Sequence, residues 1–121
     1  MVQFRYYQTK EGVSPFLTWL NKLRRNDQAK VYATIKNIEI FGLGIAMQKE
    51  WVKKLDNDIW EIRSQFGGNI QRAPFFFVKG SICIITHGFT KKTPKTPKRE
   101  LATAHRIMKQ YEEEHDANTT I

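Results

Sequence analysis

With a single cysteine among its 121 residues, Cys83, the chain has no intrachain disulfide and no cysteine cluster for a metal. Its place inside the apolar run Ile82 to Ile85 marks it as a core thiol. No stretch approaches the roughly 20 apolar residues of a membrane-spanning helix. The opening Met1-Val2-Gln3-Phe4-Arg5-Tyr6-Tyr7 lacks the apolar segment of a signal peptide. Neither membrane insertion nor secretion is expected, and a cytoplasmic location follows. No Gly-rich phosphate loop, zinc-ligand spacing or Ser/His/Asp arrangement is visible, and Gly42-Leu43-Gly44 lacks the preceding strand a dinucleotide site requires. No metal or nucleotide cofactor is therefore expected. Acidic residues are also scarce, 12 against 20 Lys and Arg, and the formal net charge of +8 makes a polyanion the leading partner.

What is present suffices for one core and is too little for two, so a single domain over 1–116 is expected, with 117–121 a frayed tail. Residues 2 to 8 have strand propensity, and Ser14-Pro15 reads as an N-cap followed by proline at the first helical position. Phe16, Trp19, Leu20 and Leu23 recur at helical spacing. Asn26 or Asp27 can cap a second helix whose stripe is Val31, Ile35, Ile38 and Phe41, ending at Gly42 and Gly44. From Ile59 the period changes to two, and Gly67-Gly68-Asn69 supplies a tight turn. Runs from Ile70 to Val78 and from Ile82 to Phe89 complete an antiparallel meander. Pro74 cannot donate to the ladder, so either a bulge sits there or the outer strands diverge. Two prolines and five cations make Lys91 to Arg99 a loop, and Leu101, Ala104, Met108 and Tyr111 mark a final helix that Glu112, Glu113, Glu114 and Asp116 close. The fold class is α+β: an N-terminal strand and αα-hairpin packed on a mainly antiparallel sheet, then a C-terminal helix.

A two-residue Gly67-Gly68 turn places Arg63 opposite Arg72 and Trp60 opposite Phe75. Like charges directly opposite are destabilising, and a phosphate would offset them. A Gly80-Ser81 turn then lays the row Glu61, Pro74, His87 beside the row Arg63, Arg72, Phe89, with Lys91 continuing that side. The other face would carry Trp60, Ile62, Ala73, Phe75, Phe77, Ile84 and Thr86, apolar enough to receive both helices and leave the charged face free. Such a face suits RNA cleavage, because the RNA's own 2′-hydroxyl can attack phosphorus while the protein supplies acid, base and charge stabilisation. Arg63, Arg72 and Lys91 would stabilise developing charge, and Glu61 or His87 could move protons. Glu61 also has the plain reading of a partner that neutralises the arginines, and His87 that of a structural strand residue. Lys92, Lys95, Lys98 and Arg99, with Lys53 and Lys54 ahead of the Ile59 strand, are candidate RNA-backbone contacts.

Three segments carry a family resemblance: Ile59-Trp60-Glu61-Ile62-Arg63, then Arg72 followed by Phe75-Phe76-Phe77-Val78-Lys79-Gly80, then Thr86-His87-Gly88-Phe89-Thr90-Lys91-Lys92-Thr93 with Pro97. Together they resemble the phage-related HigB branch of the RelE/ParE toxin superfamily, over roughly residues 2 to 111. The resemblance implies a RelE-like, microbial-RNase-like fold and metal-independent, ribosome-dependent mRNA cleavage. It also implies neutralisation by a cognate antitoxin, often a helix-turn-helix protein through which operator DNA is contacted only indirectly. Relatives carry basic residues at positions matching Arg63, Arg72 and Lys91-Lys92. Some place a tyrosine where this chain reads Pro97-Lys98-Arg99, which leaves the identity of the acid and the base open. Two other readings stand beside the enzyme: a noncatalytic growth inhibitor of the ParE type acting on DNA gyrase, and a plain RNA-binding module.

Overall fold

Ser14 starts the first helix as its chemistry allows: its Oγ accepts the Leu17 N–H at 3.1 Å, and Pro15 follows where no N–H is needed. In this computed structural model, which describes residues 2–92 and 95–119, that helix is α1, Pro15–Leu20. Thr93 and Pro94 of the expected loop, and residues 120 and 121 of the expected tail, lie outside the described residues. In α2, Arg25–Gln48, Arg24 holds the N-cap position instead of Asn26 or Asp27. Asp27 sits buried in the first turn and accepts from Asn69 Nδ2 at 3.2 Å. The glycines expected to end α2 kink it instead: Gly42 takes φ 88°, which costs a residue without a side chain little, and helix resumes to Gln48. Beside the kink Phe41 is 57% exposed and leaves the expected stripe, which Leu43 and the fully buried Ala46 continue past Gly42.

Among the described residues six strands form one sheet. They are β1 Gln3–Tyr6, β2 Val52–Lys54, β3 Trp60–Phe66, β4 Asn69–Lys79, β5 Ile82–Ile85 and β6 Phe89–Lys91. The order is β1-β5-β4-β3-β2, with β6 also on β4; β1 runs parallel to β5 and every other pair is antiparallel. The architecture is α+β with a mainly antiparallel sheet and a C-terminal helix, compatible with a RelE-like fold. The edge strand β2 was missed, since three residues are too few for a period to show.

The β3–β4 hairpin has the expected register, with Arg63 opposite Arg72 and Trp60 opposite Phe75. Two corrections follow on the other side of β4. The register slips between Phe77 and Lys79, leaving Val78 as the extra residue of a bulge, so Phe75 pairs with Ile85 and Phe76 with Ile84. The run expected from Ile82 to Phe89 is also split in two, and Pro74 sets the place. Its carbonyl accepts the Thr86 N–H at 2.9 Å, so its nitrogen, which carries no hydrogen, faces the same neighbour. With no donor there, β5 ends at Ile85 and the chain rejoins β4 as β6, Phe89 opposite Arg72. The outer strands thus diverge at Pro74. Thr86, not His87, lies beside Pro74 in the Glu61 row.

The slip redistributes the two faces. Trp60, Ile62, Ala73 and Phe75 meet α1 and α2 as expected, but Cys83 and Ile85 join them in place of Ile84 and Thr86. Burial pushes the Cys83 thiol up to about 12, as suits an inert core side chain. The second face is not left free. The helix α3, Lys98–Thr119, buries Ala104 and Ile107 against Ile59, Phe76 and Ile84. It starts inside the expected loop, directly after Pro97, and runs beyond the expected start of the tail. His105 Nε2 to Asp56 Oδ2 at 2.6 Å and the Tyr7 hydroxyl donating to Glu114 Oε1 at 3.0 Å tie it down. No described helix is long and apolar enough to cross a membrane.

Candidate nucleic-acid interface

Alternation along β2, β3, β4 and β6 brings Lys53, Glu61, Arg63, Arg72, Phe89 and Lys91 to the α3 side of the sheet, beyond the end that α3 covers. Two concave regions open there. The first, about 360 Å³, is lined by Lys53, Lys54, Lys91, Lys95 and Lys98 together with Leu55, Thr96 and Leu101. The second, about 190 Å³, is lined by Glu50, Arg63, Ser64, Gln65 and Arg72. Lys54 also holds its Nζ 5.7 Å from the centre of the Trp60 ring, within cation–π range. The hydrophobic walls Leu55 and Leu101 lower the local dielectric and strengthen any phosphate contact the lysines make.

Charge is packed tightly beneath these openings. Arg72 is 7% exposed and Glu61 1%, with Arg72 Nε 3.6 Å from Glu61 Oε2. Arg72 Nη1 donates to the Gln71 carbonyl at 3.0 Å, and Thr96 Oγ1 donates to Glu61 Oε1 at 3.0 Å. Among the described residues Arg63 forms one ion pair, its Nη1 lying 4.0 Å from Glu50 Oε1. Among the described residues the Nε–H groups of Arg63 and Arg72 meet no hydrogen-bond acceptor, so the opposed pair presents unused donors. Burial holds the Arg72 guanidinium below its ordinary value; Glu61 opposes that shift and Arg63 reinforces it. Burial likewise lowers Lys91, with Arg72, Arg63 and Lys53 acting in the same direction and Glu61 against them. Lys91 is thereby a readier proton donor than a solvated lysine.

Not every candidate from the sequence reaches this place. His87 is buried beneath the first turn of α3, where both ring nitrogens are engaged: Nδ1 with Thr86 Oγ1 at 2.8 Å and Nε2 with Glu100 Oε1 at 3.1 Å. Its ring stacks on Phe89 with centroids 5.9 Å apart. Burial lowers its proton affinity and Glu100 raises it. It lines neither opening. Arg99 lies exposed with its Nε 3.7 Å from Glu100, and Lys92 is exposed and outside both linings. Thr96, Glu50 and Glu100 were missed altogether. Thr96 stands thirty-five positions from Glu61, and no local spacing signals a contact between them. Among the described residues no group of three or more His, Cys, Asp or Glu is placed to hold a metal ion.

A family model described as phage-derived Gp49-like protein (DUF891) matches residues 18–109, which include every residue lining the two openings. No curated protein matches the chain.

Proposed function

Because the chain belongs to the Gp49-like family of phage-derived proteins, a RelE-toxin-like family, we propose that it is the toxin of a type II toxin–antitoxin pair of HigB type, cutting mRNA on the ribosome. One observation carries the reading: five lysines converge on a cleft, the buried Lys91 with lowered proton affinity among them, and a second opening on the same face is lined by the opposed Arg63 and Arg72. RNA brings its own nucleophile. In the proposed step the 2′-hydroxyl gives its proton to solvent water as its oxygen bonds to phosphorus, the bond to the 5′-oxygen breaks, and the products are a 2′,3′-cyclic phosphate and a 5′-hydroxyl. Arg72 and Arg63 stabilise the charge that develops on the phosphoryl oxygens, and Lys91 protonates the leaving 5′-oxygen. Lys53, Lys54, Lys95 and Lys98 hold the backbone on either side. The partners on this reading are the translating ribosome with its mRNA and a helix-turn-helix antitoxin, with operator DNA reached only through the latter.

Primer extension on a defined mRNA, with and without translating ribosomes, tests the proposal against Lys91→Gln and a Lys53→Ala/Lys54→Ala/Lys98→Ala variant. Discrete cuts that need ribosomes, vanish in Lys91→Gln and weaken in the triple variant are expected. The triple variant should also flatten the salt dependence of single-strand binding by roughly 0.7 in log–log slope per lysine removed. Intact mRNA in every lane, from protein shown to be folded, would overturn it. A second reading has one observation in its favour. Ile40, Phe41 and Met47 are 50% exposed or more around the Gly42 kink, an apolar surface that suits a protein target. A DNA-damage response with intact mRNA would mark that noncatalytic inhibitor.

A further inference from the structure

We infer that Glu61 and Thr96 form a latch that shapes the lysine cleft, Glu61 as a positioning residue and Thr96 as a member of the site itself. The inference rests on the RNA-cutting reading of the same cleft.

Glu61 is a fully buried carboxylate in the middle of a sheet row, with Lys53 on one side and Pro74 on the other. Pro74 offers it no polar side-chain atom, so its oxygens find their partners across the face. Oε1 accepts the Thr96 hydroxyl at 3.0 Å, and Oε2 lies 3.6 Å from Arg72 Nε. A general base must reach the proton it removes. A carboxylate that is 1% exposed, with both oxygens turned to its own protein, holds structure instead.

What it holds is the far wall of the cleft. Thr96 lines the opening between Lys95 and Lys98, and Pro97 between them has a fixed φ. The Pro97 carbonyl accepts the Glu100 N–H at 3.0 Å and so opens the first turn of α3. Moving Thr96 therefore moves Lys95 on one side and the start of α3, with Lys98, on the other. The same carboxylate sits under Lys53, Arg72 and Lys91, where its charge offsets their mutual repulsion. One buried anion thus keeps the cations close together and ties the chain carrying two of the lysines to the sheet.

The test compares wild type, Thr96→Val, Thr96→Ser and Glu61→Gln as full chains. It reads cleavage kinetics against pH, binding of a fluorescent single-stranded RNA, and amide hydrogen exchange at Lys95, Thr96 and Lys98. Thr96→Val should raise KM and the RNA dissociation constant roughly tenfold, the size of one lost hydrogen bond to a buried charge, with kcat nearly unchanged. Exchange at the three amides should quicken, and Thr96→Ser should restore both properties. Glu61→Gln should raise KM and leave the shape of the pH–rate profile as it was. Two results would overturn the latch: Thr96→Val matching wild type in KM and in exchange, or Glu61→Gln erasing the acidic limb of the profile with KM intact. If wild type neither binds nor cuts RNA, the functional reading falls, and the exchange comparison still decides the latch. Thr96→Val keeps the idea open to refutation even if Glu61→Gln fails to fold.

Discussion

Replacing Arg72 by alanine should cost roughly 3 kcal/mol of folding stability, before any effect on RNA is counted. Removing one member of a buried ion pair leaves the other as an uncompensated charge, a loss of about 3 to 5 kcal/mol. The low end applies because the Arg72 Nε to Glu61 Oε2 distance, 3.6 Å, is longer than a hydrogen bond, and because Thr96 still donates to Oε1. The bond from Arg72 Nη1 to the Gln71 carbonyl goes as well, which keeps the figure from falling much further. Against the roughly 5 to 15 kcal/mol that hold a domain together, this is a large fraction. Urea unfolding of wild type, Arg72→Ala, Glu61→Gln and the double variant measures it. The double variant should lose less than the two single losses combined, by about 1 to 2 kcal/mol, because it strands no charge. An Arg72→Ala protein within about 0.5 kcal/mol of wild type, or strict additivity in the double variant, would refute the buried-pair account. Cleavage data on Arg72 variants should accordingly be read beside their stability, whereas the exposed Lys54 and Lys98 carry no such burden.

Two further outcomes are expected. Gly88→Ala would place its Cβ inside the Trp19 ring, at the point where the segment between β5 and β6 passes under α1; overpacking of this kind costs roughly 1 to 3 kcal/mol, visible as a lower urea midpoint with an unchanged m-value. Tyr7 is held at about 12, first by its burial and then by its bond to Glu114. Because the folded value lies above the unfolded one of about 10, this stabilisation is complete below pH 10 and is lost as pH rises from there to 12, by about 2 to 3 kcal/mol. Tyr7→Phe should lose less stability than wild type over that interval in alkaline unfolding curves, and parallel curves would contradict the assignment.

Much of the fold could be read from short-range chemistry because its signals are local. Ser14-Pro15 fixes a helix start, Gly67-Gly68 fixes a two-residue turn, and that turn alone sets Arg63 against Arg72. Where the reading failed, the deciding contact was distant or the signal was ambiguous. The slip at Val78 leaves no mark in a run of apolar residues, since Phe76, Phe77 and Val78 suit either face. Gly42 signals a break without saying whether helix resumes after it. The grouping of Lys53 and Lys54 with Lys91, Lys95 and Lys98 depends on β2 pairing with β3, and three residues at an edge give no periodic evidence of themselves.

Pro74, which looked like a defect in a central strand, is what brings the cations together. A residue with a donor at that position would let β5 continue past Ile85 along β4, and the chain would have no cause to part from it there. Because the donor is missing, the chain leaves the ladder after the Thr86 N–H bond to the Pro74 carbonyl, His87 turns toward Glu100, and the chain returns one register later with Phe89 against Arg72 and Lys91 against Ile70. That shift restores the parity the Val78 bulge had removed, so Lys91 lands on the same face as Arg63, Arg72 and Glu61. Two irregularities on opposite sides of β5 therefore cancel at the site. An unbroken strand keeping the β4–β5 register would have set Lys91 on the other face, toward α1 and α2 and away from Arg63, Arg72 and Glu61.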